Sequence, residues 1–124
     1  MRAISKVLIN AESTATDLTS SAVRIGELGA AVLSIFATAT GSTSGTMTVQ
    51  ASNDIPDGTS SFAPSNWYTV INSAGTTSSA NINSSNAYVY FSPLMTAQYI
   101  RLIYTRSSGS GVMTAKLSVI GVTH

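Results

Sequence analysis

Hydrophobic and polar residues alternate along two stretches of the chain, 47–54 and 99–106. In the first stretch, Met47, Val49 and Ala51 alternate with hydroxyl and amide residues, and this period of two places the apolar set on one face of a β-strand. The second stretch is rich in β-branched and aromatic residues, which favour strands. We therefore predict that both stretches are inner strands of an antiparallel β-sandwich.

The rest of the chain consists of similar short runs separated by Gly-, Ser- and Asn-rich segments. These runs occupy 6–10, 22–25, 30–38, 67–71, 79–83, 88–91 and 112–120. The run at 30–38 is nearly all apolar, which is typical of a strand buried on both faces or of a short helix, and its β-branched residues favour the strand. The fold class predicted is all-β, an antiparallel β-sandwich or jelly roll of about eight or nine short strands.

The connections between these runs differ in length. The glycine-rich segments 41–45 and 107–111 predict two β-hairpins. The segment 53–66 is the longest loop, because two prolines and an Asp-Gly pair exclude a regular element. A chain of 124 residues fits a single β-sandwich domain, 1–124, in which 1–20 forms an arm or an edge strand.

Composition narrows the class of protein. Charged residues make up 9% of the chain and hydrophobic residues 44%, so a low-charge surface covers an apolar interior. The six cations and five acids are scattered, whereas nucleic-acid binding requires clustered Lys and Arg. We expect no nucleic-acid partner, and a net charge of only +1 favours a protein that lives in an assembly.

The chain contains no Cys, so disulfides and thiolate metal sites are ruled out. Its first ten residues hold an apolar run of only three, too short for the core of a signal peptide, and no later run approaches the length of a membrane span. These features predict a protein made in the cytoplasm, without a membrane partner.

Catalytic residue patterns are sparse. The single histidine is His124, at the terminus, where it is poorly placed to act as the oriented base of a serine-type triad. The one close carboxylate pair, Asp54 and Asp57, lies in a Pro-Asp-Gly loop and is explained by turn geometry. We therefore predict no enzymatic activity and no cofactor. Asn53, Asp54 and Asp57 form a weak Ca²⁺ candidate, since Ca²⁺ takes six to eight oxygen ligands.

Aromatic residues offer candidate contact sites. Tyr88 and Tyr90 share one face of a strand, opposite Val89 and Phe91, and they are the best candidates for a protein interface. Trp67 begins a strand beside the long loop, and we expect it to pack in the core.

Three segments resemble a known family. The sequences of 48–54 (TVQASND), 67–70 (WYTV) and 97–104 (AQYIRLIY) resemble discoidin-like (coagulation factor 5/8 C-type) jelly rolls. They resemble in particular the small discoidin-like structural proteins of tailed-bacteriophage virions, and the similarity covers residues 30–120. In that family the arginine that Arg101 matches supports the scaffold.

The resemblance implies a non-enzymatic structural protein of a bacteriophage virion. Such a protein forms a homo-oligomer, with a trimer favoured, and attaches to the capsid or tail as a decoration, cement or head-fibre-like component. Its partners would be copies of itself and other virion proteins such as the major capsid protein. The virion would be its location, after synthesis in the host cytoplasm.

A carbohydrate-binding module or host-receptor adhesin is the alternative function. It would use the 53–66 loop, with Phe62 and Trp67 as ligand contacts, because aromatic rings stack on sugars. The loop carries no Lys or Arg and only one aromatic residue, Phe62.

Overall fold

The computed structural model describes residues 2–59, 61–70, 79–85, 88–91 and 95–121, with side chains throughout except at 2, 79–80 and 88–91. Over these residues the chain forms ten strands, one turn of 3-10 helix (Gly26–Leu28) and no α-helix. The strands are β1 (Arg2–Ser13), β2 (Leu18–Thr19), β3 (Val23–Arg24), β4 (Ala31–Ala39), β5 (Ser44–Ser52), β6 (Tyr68–Thr69), β7 (Ser79–Asn83), β8 (Tyr88–Phe91), β9 (Tyr99–Ser108) and β10 (Val112–Gly121). The predicted all-β class is confirmed.

All strand pairs are antiparallel, and they form two sheets. One sheet has the order β1-β10-β4-β8. The other has the order β2-β9-β5-β6, with β3 also pairing with β9 and β7 with β5. One edge of β9 pairs with β5, and β2 and β3 pair one after the other along its opposite edge. Likewise, one edge of β5 pairs with β9, and β6 and β7 pair one after the other along its opposite edge. The second sheet therefore also has four strand positions, and the whole order is that of an eight-position jelly roll.

The core lies between the two sheets and is built by alternation. Alternate residues over most of β4, β5, β9 and β10 point inward, and fourteen of these side chains are at most 4% exposed. They are Ala31, Leu33, Ile35, Ala37, Met47, Val49, Ala51, Ile100, Leu102, Tyr104, Met113, Ala115, Leu117 and Val119. The two alternating stretches that organise the sequence, β5 and β9, are inner strands, as predicted, and they are also neighbours in one sheet.

Both glycine-rich connections differ from the prediction. The segment 40–43 joins β4 to β5 and the segment 109–111 joins β9 to β10, but in each case the two strands belong to different sheets. The hairpin predictions are therefore wrong. The connections are arches between the sheets, because β10 pairs with β4 and β9 pairs with β5.

The apolar run of β4 is a strand, but it is not buried on both faces. Its inward-facing residues are buried, whereas Phe36 and Thr38 on the opposite face are exposed. In the single chain nothing among the described residues covers that face. The expectation of two buried faces is therefore wrong for the isolated chain. The outward face of β4, which includes Phe36, is directed to solvent.

Candidate functional site

The solvent side of the sheet β1-β10-β4-β8 is apolar over its described part. The hydrophobic side chains at its outward positions include Val112 next to the 109–111 arch and a group of five, Ala3, Val7, Val32, Phe36 and Ile120. Val7, Phe36 and Ile120 are 47%, 49% and 41% exposed. We call this surface, defined by these five residues and the polar residues between them, the apolar outer face.

Strand register arranges the apolar outer face in cross-strand rows. Two mainly apolar rows flank a row of serines, and in order along the sheet the rows are Ala3–Ile120–Val32, Ser5–Ser118–Ser34 and Val7–Lys116–Phe36. Lys116 carries the only charge in these rows. Directly opposite side chains on one sheet face lie close enough to touch. The face therefore presents two apolar ridges separated by a furrow of small hydroxyl side chains.

The sequence-predicted interface residues, Tyr88 and Tyr90, belong to β8, at the edge of this same sheet. Their backbone pairs with Ala37 and Ile35 of β4. Their side chains lie outside the described part of the structure, so their interface role stays a prediction.

The side chain of Asp54, near the start of the 53–66 loop, is hydrogen-bonded to the residues at the end of the loop. Asp54 Oδ2 accepts hydrogen bonds from the backbone N–H groups of Ser65 (2.7 Å) and Asn66 (2.9 Å), and Oδ1 accepts one from the Asn66 side-chain amide (3.0 Å). These hydrogen bonds hold the pKa of Asp54 below its ordinary value, and the two from Asn66 have the largest effect. We call this arrangement the Asp54 clasp.

Trp67 lies half-buried on the solvent side of the sheet that contains β9. The guanidinium Cζ of Arg101 is 4.1 Å from the centroid of its ring, and its indole Nε1 donates a hydrogen bond to the Pro64 carbonyl (3.2 Å). Arg101 Nε donates to Gln50 Oε1 (2.9 Å). The prediction that Trp67 packs in the core is wrong, because Val70, 4% exposed, fills the inward position of this stretch. We call Trp67, Arg101 and Gln50 the Arg101 cluster.

Phe62 approaches the same strand as the Arg101 cluster. Its ring centroid is 6.0 Å from that of Tyr99, with an interplanar angle of 36°, which is a favourable aromatic arrangement. The two residues named for the alternative ligand loop, Phe62 and Trp67, therefore both contact β9, through Tyr99 and Arg101. The long loop lies against the sheet.

The Ca²⁺ candidates Asp54 and Asp57 have separate partners. Asp57 Oδ1 accepts hydrogen bonds from Thr59 Oγ1 (2.6 Å) and the Thr59 N–H (2.9 Å), and these bonds lower the pKa of Asp57. Both carboxylates thus accept donors from their own loop, which is turn chemistry. Over the described residues, no group of three or more His, Cys, Asp or Glu side chains is arranged to hold a metal ion. Asn53 remains a candidate Ca²⁺ ligand on the basis of the sequence alone.

Shallow depressions lie at the end of the sandwich opposite the two arches. One of about 330 Å³ is lined by Ala3, Ile4, Arg24, Glu27 and Leu28, and another of about 290 Å³ includes Asn53 and Ile55 of the long loop. Arg24 and Glu27 form an exposed ion pair, 3.8 Å apart. In the described segments no helix is long and apolar enough to cross a membrane.

Sequence reasoning missed the most exposed hydrophobic residues of the sheet. Phe36 lies in a run that is apolar at nearly every position, and that run does not reveal which half faces out. Val7 joins Phe36 in one cross-strand row through Lys116, and Ile120 lies on the same face beyond the row of serines, because β10 pairs with both β1 and β4. Each strand carries its outward hydrophobic residues in the sequence, but only the strand register shows that these residues share one face.

Comparison with known proteins gives distant structural similarity and no family. No family model and no curated protein matches the chain. A chain in the structure of infectious bursal disease virus, Gx strain, superposes with a TM-score of 0.49 and 9% sequence identity, over 95% of this chain and 31% of that chain. The chain therefore spans about a third of the length of that viral chain. A similarity this distant identifies neither a family nor a function.

Proposed function

We propose that this chain is a non-enzymatic structural protein of a virus particle that acts by homo-oligomeric assembly, and that the apolar outer face is its contact surface. One observation carries the proposal. Val7, Phe36 and Ile120 are each more than 40% exposed on a single sheet face. Contiguous exposed apolar patches on a folded protein mark interaction sites.

The apolar outer face supplies the middle of a contact rather than its whole area. Three strands about 4.8 Å apart, each contributing five residues that rise about 3.3 Å, give the face an area of roughly 240 Å². Two such faces in contact bury about 500 Å², whereas a specific protein interface buries at least about 1,000 Å². The proposed interface therefore extends beyond these three rows onto the surface beside them.

The chemistry of the face suits a second copy of the chain. The core of an interface is depleted in charge, and the three rows hold a single charge, Lys116. Lys116 lies between Val7 and Phe36, where its alkyl stem can cover apolar surface while the ammonium group reaches the rim. The serine row between two apolar ridges also offers a furrow into which a ridge of another copy fits.

The finer parts of the proposal rest on the resemblance to discoidin-like virion proteins. They are a bacteriophage source, a decoration, cement or head-fibre-like role on capsid or tail, and contacts with other virion proteins such as the major capsid protein. The resemblance implies a trimer, whereas a face-to-face contact through the apolar outer face closes with two-fold symmetry. The native mass, as a multiple of the 12.8-kDa chain, separates these two arrangements.

The test compares the native mass of the chain with that of Phe36→Asp by analytical sedimentation. Replacing the Phe36 ring by a carboxylate removes apolar contact area and places a charge in the interface, which should raise the dissociation constant about thirtyfold or more, by analogy with interface hot spots worth about 2 kcal/mol. The matched control is Ile55→Asp, because Ile55 is 75% exposed but lies on the long loop. We expect dissociation of the first variant and an unchanged oligomer for the second.

Two outcomes would contradict the proposal. A wild-type chain that is monomeric at micromolar concentration would exclude assembly as its mode of action. An oligomer that survives Phe36→Asp would retain assembly but would move the contact away from the apolar outer face. Circular dichroism of both variants confirms that the sandwich has folded.

A further inference from the structure

Arg101 is a half-buried cation without an acidic partner. All five side-chain carboxylates of the protein belong to the described residues, and none lies within 4 Å of Arg101. A partly buried charge is normally paired, because burial removes part of its hydration. The cluster therefore holds a positive charge that its own chain does not neutralise.

The guanidinium group is nevertheless held in one orientation. Its Cζ lies 4.1 Å from the centroid of the Trp67 ring, and its Nε is fixed by Gln50 Oε1 at 2.9 Å. Trp67 in turn is held by the Pro64 carbonyl. The two terminal nitrogens of Arg101 have no acceptor among the described residues. An arginine oriented in this way presents a planar fork that matches the two oxygens of a carboxylate.

The surroundings of the fork are uncharged and rich in donors and aromatic rings. Gln50 accepts the Arg101 bond through its Oε1, so its amide N–H₂ is left to donate. Thr69 follows Gln50 in the same cross-strand row, and the paired rings of Phe62 and Tyr99 lie at the next positions toward the long loop. Hydroxyl and amide groups beside aromatic rings suit a ring that carries several hydroxyl groups.

We propose that the Arg101 cluster binds the carboxylate of an acidic sugar, with the sugar hydroxyls directed toward Gln50 and Thr69. The site lies on the sheet opposite the apolar outer face, so assembly through that face leaves it open to solvent. This inference goes beyond the proposed structural role and does not depend on it.

Trp67 supplies the readout, because it is the only tryptophan of the chain. The wild-type protein is titrated with sodium glucuronate, with glucose as the ring without a carboxylate, and with sodium acetate as the carboxylate without a ring, all at constant ionic strength. We expect a saturable change in Trp67 emission with glucuronate. Its affinity should be at least about tenfold higher than that of either control, because glucose lacks the carboxylate that pairs with Arg101 and acetate lacks the hydroxyls that hydrogen-bond to Gln50 and Thr69.

Two variants and one control locate the binding to Arg101, with affinities measured by calorimetry. Arg101→Gln removes the fork and should weaken glucuronate binding about tenfold or more. Gln50→Glu keeps the shape of the cluster but supplies an internal carboxylate, so it should weaken binding by a similar factor while the sandwich stays folded. The control is Arg106→Gln, which removes an exposed arginine from the same strand and should leave the affinity unchanged.

Three results would overturn the proposal. They are the absence of a saturable response to glucuronate, equal affinities for glucuronate and acetate, and an unchanged affinity in Gln50→Glu. If Arg101→Gln fails to fold, Gln50→Glu decides the question alone. A monomeric protein that binds glucuronate through Arg101 would reject the assembly role and retain this inference, so the two proposals fail separately.

Discussion

The hydroxyl of Tyr104 lies in the core without a hydrogen-bond partner among the described residues. The residue is fully buried, and burial raises the pKa of its phenol. Its ring packs over Gly45, where any Cβ would collide with it. An unpaired buried hydroxyl costs about 1–3 kcal/mol of desolvation free energy. The ring of Tyr104 therefore stabilises the fold by packing, whereas its unpaired hydroxyl lowers the free energy of unfolding.

We predict that Tyr104→Phe leaves the free energy of unfolding unchanged or raises it by up to about 1 kcal/mol, because it removes only the unpaired hydroxyl. Urea denaturation followed by circular dichroism measures the change. A loss of more than about 1 kcal/mol would mean that the hydroxyl has a hydrogen-bond partner in solution.

The Asp54 clasp makes the long loop sensitive to acid. Because the pKa of Asp54 is lowered in the folded chain, its ionised form stabilises the fold above the unfolded-state pKa of about 3.9. That contribution is lost as the pH falls through the lower folded value. Protonation weakens the bonds from Ser65 and Asn66, which directly precede Trp67.

We therefore predict that Trp67 emission is constant from pH 7 to about pH 4 and changes at lower pH. Asp54→Asn should abolish this acid transition and give the low-pH emission at neutral pH. Asp57→Asn is the matched control, since Asp57 contacts Thr59 rather than the residues beside Trp67. An acid transition that persists in Asp54→Asn would assign it to another group.

Individual residues show where sequence reasoning succeeded. The stretch 99–106 was predicted to be an inner strand, and alternation along it places Tyr104 on the core face, where it is buried. Trp67 was misplaced, since Trp67 and Val70, the residues on either side of β6, are both hydrophobic and point to opposite sides of the sheet. Composition favours burial of the larger side chain. The stacking with Arg101 that keeps Trp67 outside joins residues far apart in sequence.

At the scale of elements, the two arches hold one end of the sandwich together. Ser42 Oγ lies within hydrogen-bonding distance of both the carbonyl and the N–H of Ser110, and the Ser42 N–H also donates to the Ser110 carbonyl. Beneath them the hydroxyls of Thr14 and Thr43 form a buried hydrogen bond of 2.6 Å. Each arch therefore supplies polar partners for the other.

Close packing of the arches requires glycine at position 109. Gly109 has φ of +74°, and a Cβ there would collide with the Ser42 carbonyl. Gly58 has a similar φ of +87° but open space around it. We predict that Gly58→Ala lowers the free energy of unfolding by about 1 kcal/mol, the cost of left-handed backbone alone. Gly109→Ala should lower it by about 3 kcal/mol or more, since backbone must move as well.

Thermal and urea denaturation of the two alanine variants check this difference. Equal losses of stability would show that the arches separate without cost and that their mutual packing does not stabilise the sandwich.

The arches also show what local signals leave open. Glycine and serine at 41–45 and 107–111 correctly indicate chain reversals. They do not indicate which sheet the following strand joins, because that depends on pairing between β10 and β4 and between β9 and β5. Alternation therefore predicted the strands and the class of fold, whereas the jelly-roll order came from long-range register.

At the scale of the whole molecule, the two solvent sides of the sandwich differ. The sheet β1-β10-β4-β8 presents ridges of Val7, Phe36 and Ile120 with one charge between them, while the other sheet carries the long loop and the Arg101 cluster. One side is suited to contact with another copy of the chain and the other to a polar ligand.

Sedimentation equilibrium of the unmodified chain over micromolar concentrations tests the central claim most directly. The account predicts a stable oligomer, with a mass of two or more 12.8-kDa chains and no measurable monomer. A single species of 12.8 kDa across that range would contradict it.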